Sequence, residues 1–324
     1  MTFESSSLQN AAQNTLGIMQ PSGFPGLPPG WISELETFPA SDRTIQLFNM
    51  VHHHKDWAEK PESHPAPYRV LLVVHGLGEH GGRYYHLPHY LKESFGAIYC
   101  MDQRGHGRSE GLRGHCDRFE QFTDDLAEVI VRVSGQVKQR FGRAEVHVLG
   151  HSFGGLVVLR THFLNATLPV KSVIASAPLL GIKAHVPWIK QLAGRGLSKV
   201  WGSLQMHNEV DPALLSHDPE VPLAYKTDRL VHDKATPRFY TEMLSAMADT
   251  VKRDAGLPYP LQMIISLQDR IVDADVGQQF FKNLKIRDKQ LHTYPNFYHE
   301  SMNELGKEKV FEDIAAWIKS HSSS

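Results

Sequence analysis

Gly150-His151-Ser152-Phe153-Gly154 sets a serine between two glycines in the spacing G-x-S-x-G. Val146-His147-Val148-Leu149 ahead of it is a short apolar, β-branched run that predicts a strand. Gly155-Leu156-Val157-Val158-Leu159 behind it opens a helix. Strand, sharp turn and helix form the setting that holds a nucleophilic serine hydroxyl proud of a sheet. The flanking glycines suit a turn too tight for a Cβ. The helix N-terminus beyond the serine favours a developing negative charge. A serine hydroxyl is a poor nucleophile until a base takes its proton, and an imidazole titrating near neutrality can do so. A carboxylate fixes the tautomer of that imidazole and stabilises its charged form.

Both partners can be read downstream. Pro260 to Ser266 is an apolar strand that ends at Leu267-Gln268-Asp269. An acid just past a strand's carboxyl end lies on the edge of an open α/β sheet where ligands bind. Asp273 and Asp275 are rival acids, read instead as caps of the following helix. The alternating segment Gln290-Leu291-His292-Thr293-Tyr294 precedes a loop with His299. His292 is a rival base, but it falls inside the strand pattern. The chain order Ser152, Asp269, His299 is that of α/β-hydrolases. A protein that kept this frame only to bind would be expected to lose one of the three residues or the turn glycines, and all are present.

Arg69 to Val74 is a nearly continuous apolar run, as in a central parallel strand. It breaks into His75-Gly76-Leu77-Gly78-Glu79-His80. A histidine-glycine loop after the third strand supplies one oxyanion donor, and the residue after the nucleophile supplies the other. The expected donors are the backbone N–H groups of Leu77 and Phe153. Gly76 and His151 beside them are expected to line the substrate site, with Trp188 and Ile189 further on.

His75-Gly76-Leu77-Gly78-Glu79-His80 with Gly82-Arg83-Tyr84 resembles the H-G-x-G-E-H-x-x-R-Y stretch of monoacylglycerol lipases and their lysophospholipase relatives. Asp102 to Gly111 resembles their D-x-x-G-H-G-x-S-x-G loop. Gly150 to Gly155 is similar to their G-H-S-M-G-G turn, with Phe153 in place of methionine. Ser176-Ala177-Pro178, Asp211 to Ser216 and Asp218-Pro219 also match. The resemblance spans roughly residues 30–320. It implies an α/β-hydrolase fold: a mostly parallel eight-stranded sheet, helices on both faces and an inserted helical lid. It implies Ser152, Asp269 and His299 as the triad, with carboxylic esters of acyl chains as substrates and no cofactor. Arg229 departs from the pattern, since relatives carry proline after the lid aspartate.

The 324 residues allow one large domain with an insertion. Hydrophobic content of 41%, charged content of 21% and a net charge of −1 are ordinary, and nothing in them pulls the chain toward nucleic acid. Two cysteines, Cys100 and Cys116, do not make a disulfide framework. No C-x-x-C or H-E-x-x-H spacing suggests a metal. The run His52-His53-His54 points its side chains different ways in an extended chain, which disfavours a shared ion. Neither a secretory leader nor an apolar run of membrane-spanning length can be read. The expected location is cytoplasmic, with peripheral membrane contact as the alternative. Oligomeric state is open.

Residues 1–30, rich in Ser, Gln, Asn, Pro and Gly, read as an extended lead-in. An antiparallel pair over 31–38 and 44–51 follows. Strands at 69–75, 97–102, 144–149, 170–176, 261–267 and 288–294 alternate with helices at 83–94, 119–141, 153–165, 274–284 and 307–319. That alternation argues a mostly parallel sheet with helices on both faces. It assigns 31–177 and 258–324 to the hydrolase core and 178–257 to the lid. Val186, Ile189, Ala193, Leu197 and Val200 make one helical stripe, flanked by Trp188 and Trp201. The stripe is read as packing on the body, with a transient lipid-surface contact as the alternative. Lysophospholipids are an alternative substrate. So are peptides with a free amino terminus, which would need lid carboxylates among Glu209, Asp211, Asp218, Glu220 and Asp228.

Overall fold

Val70, Leu72 and Val74 face one side of a central strand while Leu71 and Val73 face the other, and all five are buried. A strand with helices on both of its faces needs no polar side, so its sequence runs apolar rather than alternating. In the computed structural model, residues 19–57, 59–60, 64, 66–183, 198, 200–208, 210–253 and 256–322 are described. The strands are β1 (Trp31–Pro39), β2 (Gln46–His54), β3 (Arg69–Val74), β4 (Ala97–Asp102), β5 (Glu145–His151), β6 (Ser172–Ser176), β7 (Met206–His207), β8 (Lys234–Ala235), β9 (Leu261–Ser266) and β10 (Lys289–Tyr294). Eight of them form one sheet in the order β1-β2-β4-β3-β5-β6-β9-β10. β2 runs antiparallel to both of its neighbours, and every other pairing in that sheet is parallel.

The α-helices that lie wholly among the described residues are α1 (Leu87–Leu91), α2 (Glu120–Phe141), α3 (Phe153–Leu164), α4 (Glu220–Thr227), α5 (Pro237–Val251), α6 (Ala274–Asn283) and α7 (Glu308–Ser320). α2, α3, α5 and α6 contribute to the apolar cluster on one face of the sheet. α1 and α7 contribute to the cluster on the other. The expected mostly parallel α/β architecture is therefore present.

One expected element differs. The helix expected over 83–94 is divided into a short 3₁₀ turn at Gly81–Tyr84 and α1, with Pro88 near the start of α1. Proline lacks an N–H and its ring collides with the preceding turn, so it begins helices and does not continue them.

Between β6 and β9 the described residues include α4, α5 and the two-stranded ribbon β7–β8. α5 is integral to the core. Its Phe239 is fully buried, 5.3 Å from the ring of Phe153 and 6.0 Å from that of Phe122. Truncating Phe239 to alanine is expected to lower unfolding free energy by about 3–5 kcal/mol, as for other buried aromatics. Denaturant melts monitored by tryptophan fluorescence would measure it. Among the described residues, no helix is long and apolar enough to cross a membrane.

Candidate active site

β5 delivers Ser152 to the carboxyl edge of the sheet, and α3 starts at the next residue. Ser152 has φ 53° and ψ −118°, a backbone conformation that costs a non-glycine residue free energy. The turn is held by Ser152 N–H donating to Ser176 O at 2.9 Å. The tightness explains the glycines. A Cβ on Gly154 would lie 2.2 Å from Val74 O and 2.4 Å from His75 O. One on Gly150 would lie 2.4 Å from Gly154 O.

His299 and Asp269 come to the same edge from the loops after β10 and β9. His299 Nδ1 lies 2.6 Å from Asp269 Oδ2, and both residues are buried. The second oxygen, Asp269 Oδ1, accepts the backbone N–H groups of Ile271 and Val272 at 2.8 and 2.9 Å. The carboxylate is thereby fixed from both sides. The His299 ring packs 4.8 Å from the ring of His151, the residue immediately before the serine. With Nδ1 committed to the acid, Nε2 is the nitrogen left for proton transfer.

The two expected oxyanion peptides are oriented by the same device. A peptide is planar, so fixing its carbonyl fixes the N–H on its other edge. Ser152 O accepts Leu156 N at 3.1 Å and Leu179 N at 2.9 Å, which aims the N–H of Phe153. Gly76 O lies 2.7 Å from His75 Nδ1, which aims the N–H of Leu77. His75 Nε2 accepts Gln103 N–H at 3.0 Å, so the ring's proton sits on Nδ1 and is donated to Gly76 O. Burial lowers the His75 pKa against the pull of Asp102 and Glu79, consistent with a neutral ring. The loop adjoins the serine: a Cβ on Gly76 would lie 3.4 Å from Ser152 Cβ.

Residues 65–306 match the family described as serine aminopeptidase, S33. The chain belongs to this family. It is 30% identical over 262 residues to a monoacylglycerol lipase of Mycolicibacterium smegmatis, across 79% of this chain and 89% of that one. It is 32% identical over 254 residues to an uncharacterized abhydrolase domain-containing protein of Dictyostelium discoideum, across 78% of this chain but only 26% of that longer one. The crystal structure of Paleococcus ferrophilus monoacylglycerol lipase superposes with a TM-score of 0.70 at 25% identity, across 90% of this chain and 100% of that one. This S33 member is an ester-hydrolysing α/β-hydrolase of the monoacylglycerol lipase and lysophospholipase group.

Electrostatics separate the histidines of this S33 site. Burial pushes the His299 pKa down, but Asp269 first, then Glu300 and Glu79, outweigh it and leave the imidazole above its usual value. Burial raises the Asp269 carboxyl, but the charge and hydrogen bond of His299 with the N–H groups of Val272 and Ile271 hold it below the ordinary range. Burial, then repulsion from His299, drives His151 down to about 4. The ring beside Ser152 is therefore neutral where His299 can still take a proton.

The rivals lie elsewhere. Asp273 caps α6 by accepting from Asp275 N and Val276 N. Asp275 sits in the first turn of that helix, and His292 Nδ1 lies 3.2 Å from Asp313 on α7. Gly76 and His151 are at the site; Trp188 and Ile189 fall outside the described residues, as do Val186, Ala193, Leu197 and Glu209. At the end of the stripe, Val200 and Trp201 are 90% and 63% exposed. In the sequence Glu79, Arg83 and Tyr84 stand only as motif letters, and nothing marks Glu300 as their partner. In space Arg83 forks onto Glu300 at 2.6 and 2.8 Å across more than 200 residues of chain. The one local signal was the acid placed directly after His299.

Proposed function

We propose that this chain hydrolyses monoacylglycerols to fatty acid and glycerol through an acyl-enzyme on Ser152. His299 takes the Ser152 proton as Oγ attacks the acyl carbonyl. Asp269 holds the imidazole and stabilises its charged form. The N–H groups of Leu77 and Phe153 receive the oxyanion, and each such donor contributes about 10²–10³ in turnover. His299 then protonates the leaving glycerol oxygen, and water repeats the cycle on the acyl-enzyme.

The observation that carries the reading is the buried 2.6 Å pair of His299 and Asp269, beside a serine in a strained strand-to-helix turn. The resemblance to monoacylglycerol lipases supplies the substrate class. An aminopeptidase reading is disfavoured by the occupation of three of the five carboxylates that could serve it. Asp228 is paired with His80, Asp211 caps a 3₁₀ turn and Asp218 accepts Glu220 N–H. Transient contact with a lipid surface, through the segment ending at exposed Val200 and Trp201, would bring such substrates to the site.

A fluorophosphonate is expected to modify Ser152 in the native protein, with the adduct found on its peptide by mass spectrometry. Hydrolysis should be fastest on monoacylglycerols in a panel with diacylglycerols, lysophospholipids and an aminoacyl amide. A faster rate on the aminoacyl amide would replace the ester reading, and an unlabelled Ser152 would remove the nucleophile.

A further inference from the structure

The proposed chemistry leaves a buried charged cluster unused. Glu79 Oε1 accepts the N–H of Gly76 at 2.5 Å and the hydroxyl of Tyr84 at 2.9 Å. Glu79 Oε2 accepts Arg83 Nη1 at 2.5 Å. The same guanidinium donates through Nη1 and Nη2 to the two oxygens of Glu300 at 2.6 and 2.8 Å. Asn303 Nδ2 donates to Glu300 Oε2 at 2.8 Å. All three charged residues are buried.

The ends of this chain of contacts matter most. At one end it grips the peptide N–H of Gly76, one residue before the expected oxyanion donor Leu77. At the other it grips the residue directly after His299. The insertion is fastened to it as well: Glu300 N–H donates to Leu215 O at 2.8 Å, and the Tyr225 ring lies 4.9 Å from the guanidinium carbon of Arg83. A buried ion cluster is a weak source of stability, because desolvation offsets its attraction. What a forked guanidinium supplies is direction, through two parallel hydrogen bonds that an ammonium cannot reproduce.

We propose that Arg83 is a positioning residue, locking the oxyanion loop, the loop of the base and the insertion into one frame through Glu79 and Glu300. The inference rests on the catalytic reading above. Two carboxylates share one guanidinium, so the cluster keeps a negative charge near His299. The leading charged and titratable groups around His299 are Asp269, Glu300, Glu79 and His151, with the Arg83 guanidinium between the two glutamates. Asp269 supplies the main support of its proton affinity, and Glu300 and Glu79 add to it.

Two variants separate geometry from charge. Arg83→Lys keeps the charge and removes the fork. Its kcat should fall by about 10²-fold, the scale of a misplaced catalytic group, with KM little changed. Glu300→Gln keeps the shape and removes the charge. The base must be neutral to act, so kcat/KM climbs with pH as free His299 loses its proton. Without the Glu300 charge His299 releases that proton more readily, and the climb should move to lower pH. Arg83→Lys should leave its position unchanged. Circular dichroism and thermal melts would confirm that both variants fold. Wild-type kcat in a folded Arg83→Lys, a loss confined to KM, or an unmoved pH limb in Glu300→Gln would overturn the proposal. If Arg83→Lys does not fold, the Glu300→Gln limb decides alone. A parallel Ser152→Ala control separates the failures. Activity retained there sinks the catalytic reading itself. An inert Ser152→Ala beside an unaffected Arg83→Lys sinks only the frame.

Discussion

Alanine at position 152 is expected to lower kcat on a monoacylglycerol by on the order of 10⁶-fold, the loss seen when the nucleophile of a working triad is removed. KM should change little, because the hydroxyl contributes to the transition state more than to ground-state binding. The proposed oxyanion peptides remain in Ser152→Ala, so some rate above water should persist. Asp269→Asn should cost about 10⁴-fold by favouring the wrong imidazole tautomer. The 2.6 Å contact to Nδ1 and the two N–H donors on the other carboxylate oxygen leave the asparagine a ready fit with the wrong proton inventory. Steady-state kinetics on protein made in a host lacking its own lipases, with fluorophosphonate titration of active sites, would measure both. Ser152→Ala activity within tenfold of wild type would exclude this serine as the nucleophile.

The second large effect is steric. Gly154→Ala should destabilise the fold by at least the ~1–3 kcal/mol typical of overpacking. The added Cβ would meet two backbone carbonyls, Val74 O at 2.2 Å and His75 O at 2.4 Å, and neither can swing aside like a flexible side chain. Relief requires α3 to move off β3, which displaces the serine and the Leu77 loop together. A lower melting temperature with loss of fluorophosphonate labelling is the expected signature. A variant that melts and labels like wild type would show that the turn has slack.

Much of this was legible in the residues. β3, β4, β5, β6 and β9 are entirely or almost entirely buried, so burial on both faces leaves an apolar run that marks them. Ser152 follows such a run directly and Asp269 lies just past another, and the edge of the sheet is where their strands end. The segment after Gly81 was less legible, since the strand-helix alternation suggested one helix and Pro88 divides it. The insertion between β6 and β9 keeps no strand-helix rhythm, and part of it, α5, is core. Least legible were groups defined by distant partners. Nothing local to Arg83 says that it meets Glu300, and nothing local to His75 says which nitrogen faces Gln103. Such contacts exist only once the sheet has brought separate loops to one edge.

The order of the strands has a further consequence for biosynthesis. β5 and its serine are central in the sheet, yet β9 and β10, whose following loops carry Asp269 and His299, are made last of its strands. Nearly half of the chain must be translated after Ser152 before His299 exists. Long-range pairing of this kind is slow, and partly made sheets expose unpaired edges. A ribosome-bound fragment ending before β10 lacks His299, the base proposed to activate Ser152. On the proposed mechanism, hydrolytic activity is thus withheld until synthesis is almost complete.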